Sequence, residues 1–168
     1  MVLIQLLWAC SIGKQPITTV KSHDVFIVSS LDKLDNRESS PIPSRLHDKL
    51  ISTMQKRGIN PKSLQYAPRY AELRNSEQRI KLFEERPLLL VETKAQFFSQ
   101  LEGRFRWTVD TQLQLISADG TSYVRKFSIP VFHQFHHQRE KEAIEAAEAQ
   151  IIRKLENLLD DYVRGYSP

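Results

Sequence analysis

A single cysteine, Cys10, stands in the 168 residues, so the chain has neither an internal disulfide framework nor a multi-cysteine zinc site. Glycine is scarce at five residues, and proline numbers eight, which excludes collagen-like and low-complexity classes. Long apolar runs are missing as well. The longest, Met1 to Cys10, is about half of what a membrane-spanning helix requires. No glycine-rich dinucleotide loop, phosphate-binding P-loop, HExxH pair or GxSxG elbow occurs. The acid doublets Glu84-Glu85 and Asp160-Asp161 fall where solvated helix ends are expected. Cys10 has no nearby base to activate it as a nucleophile. No catalytic residue, cofactor or metal site is expected, and the chain reads as a non-enzyme.

What is present suits one soluble globular domain with a tail: 40% of residues are hydrophobic and 26% charged. A chain of this length buries roughly 70% of its unfolded surface and needs no staple. Its formal net charge is +4. From Gln138 to Pro168 the sequence has five Lys/Arg and seven Asp/Glu, so residues 1–137 carry +6. Such an excess favours an anionic partner, with ordinary solubility as the plainer explanation.

Residues 1–10 are uncharged and almost wholly apolar, and end at Ala9-Cys10. An apolar run of this kind reads as a targeting segment. Leu7-Trp8-Ala9-Cys10 resembles the lipobox of bacterial lipoproteins, with Leu three positions before the Cys and Ala directly before it. That resemblance implies a lipidated Cys10 as the mature N-terminus, and Ser11 after it suits outer-membrane sorting. The alternative is a buried first strand with an ordinary core cysteine. Residues 11–23 read as a tether, and 24–164 as a single α+β domain.

Within that domain, Asp24 to Leu31 is an apolar, β-rich run and predicts a buried strand, followed by loop chemistry from Asp32 to Pro43. Ile42, Leu46, Leu50, Ile51 and Met54 recur at helical spacing, and Gly58 suits the helix stop. A short helix is expected from Ser76 to Glu85. Leu88 to about Phe98 reads as a strand, with Leu89, Val91, Ala95 and Phe97 on one face. Arg104 to Ile116 alternates strictly. Phe105, Trp107, Val109, Leu113 and Leu115 point to one side, Arg104, Arg106, Thr108, Asp110, Gln112 and Gln114 to the other. Asp119-Gly120 marks a hairpin, and Tyr123 to Val131 its partner strand, placed at an edge by Pro130. A helix from Gln138 to about Arg164 carries the stripe Ile144, Ala147, Ile151, Leu155, Leu158 and Tyr162, with Glu148 off it. The expected fold is one mixed or antiparallel sheet of about four strands with two main helices on one face.

Two clusters stand out. His133, His136 and His137 straddle a strand end and a helix start; a metal pair there lacks a third ligand, and a polar connector is the simpler reading. Arg104 and Arg106 share a wet strand face, which Lys94, Lys126 and Arg125 can extend from neighbouring strands. Spaced cations on a sheet suit phosphate or sulfate groups; a solvated face paired with Glu92 and Asp110 is the plain alternative. Phe98, Tyr123 and Trp107 offer stacking surfaces, but the apolar placement of Trp107 and the export-type start argue against nucleic acid.

The order of elements resembles small Gram-negative envelope lipoproteins. Phe105 to Val109 through Leu115 to Gly120, then Phe127 to Phe135 and Ala143 to Leu159, resemble the strand–hairpin, last strand and closing helix of LPS-assembly lipoproteins of the LptE type. Val25 to Leu34, Asp35 to Glu38 and the helix to Gly58 are similar to the opening of the CsgG/LpoB-like group, which shares a TolB-N-type domain. Both resemblances imply a non-enzymatic accessory anchored at the periplasmic face of the outer membrane. The first implies an outer-membrane protein partner and a glycolipid, lipopolysaccharide. The second implies a cell-wall synthase or a secretion system.

Overall fold

The computed structural model describes residues 27–35, 38–40, 42–63, 86–134 and 140–165. The signal-like segment 1–10 with Cys10, the tether 11–23, the helix expected from Ser76, and His136 and His137 lie outside the described residues. Strands β1 (Ile27–Asp35) and β2 (Glu38–Ser40) precede helix α1 (Ser44–Gln55). Strands β3 (Lys62–Ser63), β4 (Leu88–Leu101), β5 (Arg104–Ile116) and β6 (Ser122–His133) follow, and helix α2 (Glu140–Gly165) closes the order. The sheet runs β2-β1-β4-β5-β6, with β3 also beside β1. β1 pairs parallel with β4, and β4, β5 and β6 pair antiparallel. Among the described residues this is the expected α+β architecture: four principal strands, two short additions, and two helices sharing one core with one face of the sheet.

Local chemistry accounts for the element ends. Pro43 is extended (φ −51°, ψ 133°) and hands the chain to α1. Gly58 adopts φ 75° after the helix. Its N–H donates to the Gln55 carbonyl, and the Ile59 N–H donates to that of Met54, the paired bonds of a Schellman stop. Buried Ile59 and Met54 supply the accompanying apolar residues. Between β4 and β5, Glu102 (φ 49°) and Gly103 (φ 73°) form a two-residue turn with both centres left-handed, the hand that matches strand twist. Between β5 and β6, the Gly120 N–H donates to the Ser117 carbonyl, and Gly120 at φ 87° completes a turn-plus-bulge connection.

The core follows the periodicities. From α1 it takes Leu46, Leu50 and Met54; from the sheet Leu89, Val91, Val109, Leu113, Leu115 and Ile129; from α2 Ile144, Ala147, Ile151, Leu155 and Leu158. All four residues of Leu88-Leu89-Leu90-Val91 are buried, so β4 is covered on both faces where the parallel strand β1 flanks it.

Several expectations need correction. β1 continues to Asp35 and turns back into β2, where a loop was expected, because the polar residues Asp32 and Asp35 pair with Ser40 and Glu38. β4 and β6 are longer than read: their ends are polar or mixed, but pairing with β5 holds them to Leu101 and His133. Glu148 is not off the α2 stripe. It is buried, and tolerated there because Lys49 and Arg45 of α1 reach its carboxylate, Arg45 Nε at 3.2 Å.

Candidate functional site

The sheet has a helix-covered face and an outer face, and cross-strand register assigns each residue to one of them. Phe97, Trp107 and Val131 form one row on the helix side, as do Ala95, Val109 and Ile129. The opposite rows are Ser99–Arg106–Phe132, Gln96–Thr108–Pro130, Lys94–Asp110–Ser128 and Glu92–Gln112–Lys126. Arg104 pairs with Leu101 at the hairpin end of the same face. Alternation along β5 and β6 therefore brings all four expected cations, Lys94, Arg104, Arg106 and Lys126, to the face away from the helices.

They do not form one patch. Arg104 and Arg106 stand about 7 Å apart, whereas the backbones of Arg106 and Lys94 are separated by roughly 14 Å, and those of Arg106 and Lys126 by about 20 Å or more. Asp110 lies directly across from Lys94 and accepts a hydrogen bond from Ser128 Oγ, and Glu92 shares the row of Lys126. The middle of the face is thus mixed in sign, and the arginine end is the more cationic part. Arg125 does not belong to the face. Neighbours on a strand point to opposite sides, so with Lys126 outward Arg125 pairs across from Leu113 on the helix side and bridges to Asp161 of α2.

The arginine end has a feature the expected site lacked. Register shifts between Phe97 and Ser99, which leaves Phe98 as the extra residue of a bulge. The Arg106 guanidinium lies 4.6 Å from the centroid of the Phe98 ring. Phe132 is the cross-strand partner of Arg106. Phe98 and Phe132 are 66% and 59% exposed, so the cation stacks on one wet ring and has a second on the neighbouring strand. Arg106 is held rather than free-swinging: its Nε is buried, without a hydrogen-bond partner among the described residues. Phe97, expected on the buried face with Leu89, Val91 and Ala95, does lie on the helix side but is 53% exposed, so wet rings stand on both faces of this end.

On the reverse side of the same end, Phe97 meets Trp107 edge-on with centroids 5.7 Å apart, and lies 6.5 Å from Phe105. Trp107 is half-buried, not the fully enclosed core residue its position implied. His133, the partner of Phe105, is buried, and desolvation lowers its pKa, partly offset by Glu142. Among the described residues, no group of three or more His, Cys, Asp or Glu is placed to hold a metal. Phe98, Trp107 and Tyr123 do not converge: Trp107 is on the helix side, and Tyr123 packs edge-on against Tyr162 near the opposite end of the sheet. Among the described residues no helix is long and apolar enough to cross a membrane.

No family model matches the sequence, and neither does any curated protein. Among solved structures the chain is similar to a hypothetical protein of Chlamydia trachomatis, at 6% identity over 82% of this chain and 98% of that one, with a TM-score of 0.48. It is similar also to a protein of Xanthomonas campestris, at 13% identity over 86% and 88% of the two chains, TM-score 0.47. A third is a lipoprotein of Neisseria meningitidis, at 14% identity over 79% and 97%, TM-score 0.43.

Proposed function

We propose that the chain is a non-enzymatic accessory lipoprotein of the bacterial envelope, anchored through Cys10 at the periplasmic face of the outer membrane. In this reading it presents the outer face of its sheet to an anionic partner, a phosphorylated glycolipid such as lipopolysaccharide. The observation that carries the reading is the arginine end of that face, where Arg104 and Arg106 stand about 7 Å apart, with Lys94 and Lys126 farther along the same side. A sheet surface with spaced, solvent-reached cations suits the recognition of a charged surface, because charge-assisted hydrogen bonds form without a concave site. Attachment at Cys10 rests on the lipobox-like Leu7-Trp8-Ala9-Cys10.

Two measurements test it. Cys10→Ser should move the protein from the membrane fraction to the soluble one and abolish an acyl mass on the native protein. Arg104→Gln/Arg106→Gln should weaken lipopolysaccharide binding at low ionic strength by about tenfold or more, an effect that salt erases. A native protein without acyl mass refutes the anchor. A folded double variant with native affinity refutes the glycolipid, and an envelope synthase or secretion component then becomes the expected partner.

A further inference from the structure

We infer that the row Phe98–Arg106–Phe132, with Arg104 beside it, is a seat for the anionic surface of a lipid bilayer. The inference rests on the outer face being the surface that meets an anionic partner, and it specifies what that partner must offer: negative headgroups together with apolar chains. Charge alone does not explain the row. A soluble phosphate needs the two guanidinium groups and has no use for two phenylalanine rings that are each more than half exposed. The rings stand on the strands either side of Arg106, one on β4 and one on β6. The stacked guanidinium is therefore fixed at the level of the aromatic rings, with Arg104 about 7 Å further along the same strand.

That arrangement matches the boundary layer of a bilayer. Aromatic rings are favoured at headgroup depth, and cations are drawn to phosphates immediately above it. The rest of the outer face contributes less. Val124 lies on it and is 40% exposed, and Lys94 and Lys126 lie farther along the same side. Toward Val124 the face is mixed in sign and its Leu88 and Leu90 are buried, so the membrane contact is confined to the arginine end. Glu102 in the adjoining turn opposes deep entry into anionic lipid, so contact is along the face and not through the hairpin tip.

The test uses the full chain carrying Cys10→Ser, so that no acyl chain contributes. Flotation is measured at low ionic strength with vesicles of phosphatidylcholine, alone or with a third phosphatidylglycerol, and with no lipopolysaccharide present. The parent should float with the anionic vesicles and not with phosphatidylcholine alone. Phe98→Ser/Phe132→Ser should lower partitioning by at least about tenfold. Arg104→Gln/Arg106→Gln should lower it about thirtyfold. Both variants should keep the parent's melting temperature within a few degrees, since all four side chains lie on the outer face. A parent that stays soluble overturns the inference, and the exposed rings then await a protein partner. So does a phenylalanine variant that floats like the parent, or release of the parent by excess glycerol phosphate, which identifies a headgroup site only. None of these outcomes touches the glycolipid reading, which fails only if the arginine variant retains lipopolysaccharide affinity.

Discussion

The carboxylate of Glu148 and the ammonium of Lys49 form an ion pair that joins α2 to α1, with the acid buried and the base about half exposed. The two partners are therefore not equivalent. Glu148→Gln leaves Lys49 and Arg45 free to turn into water and should cost about 1–2 kcal/mol. Arg45→Ala/Lys49→Ala strands a buried carboxylate and should cost about 3–5 kcal/mol. Chemical denaturation of both variants checks the order, and a larger loss for Glu148→Gln would contradict it.

Burial grades the cost of truncation along β5 and β6. Leu113 is fully buried, and Leu113→Ala should destabilise by about 3 kcal/mol or more. Trp107 is half-buried, so Trp107→Ala should cost less, about 2 kcal/mol. Lys126→Ala on the outer face should change stability by under about 0.5 kcal/mol. Equal denaturant midpoints for Leu113→Ala and Lys126→Ala would mean that the faces are reversed.

The β4–β5 turn invites a stabilising change. Glu102 pays for its left-handed backbone, which asparagine adopts more readily, so Glu102→Asn should raise stability by roughly 0.5 kcal/mol. Gly103 has open space around a Cβ but the same left-handed φ, so Gly103→Ala should lower stability by about 1 kcal/mol through strain alone. Thermal melts of the two variants should move in opposite directions.

His133 makes stability depend on pH. Burial holds its folded pKa below the ordinary 6.5, so the unfolded chain binds a proton more readily. Its effect is absent well above pH 6.5 and becomes a loss of stability as pH falls through 6.5 toward the folded value. Melting temperatures at pH 7.5 and 5.5 should therefore differ more for the native protein than for His133→Phe. An unchanged difference would contradict a destabilising role for His133.

Strict alternation and helical spacing made much of this molecule legible. β5 spans Arg104–Ile116 as its two-residue period indicates, and every residue read onto the α2 stripe is buried. The shared face of the four cations was legible for the same reason. Pairing between distant segments was not: that β1 lies parallel to β4 is fixed by contacts 61 residues apart, such as Ile27 with Leu88. Nor was the bulge, since one extra residue in Phe97-Phe98 breaks no visible pattern. Glu148 was misread because burying an acid depends on bases supplied by another helix.

Pro130 stands within β6, the last strand of the sheet, opposite Thr108 of β5. A proline is accommodated in a paired strand only where its nitrogen faces away from the neighbour. The outer rim of β6 therefore lacks a donor at that position and carries a bulky ring in its place. A strand from another copy, laid along this rim, would lose a hydrogen bond and meet the ring midway. Among the described residues, β6 is thus a poorer template for a further strand, which discourages edge-to-edge pairing when many copies crowd one surface.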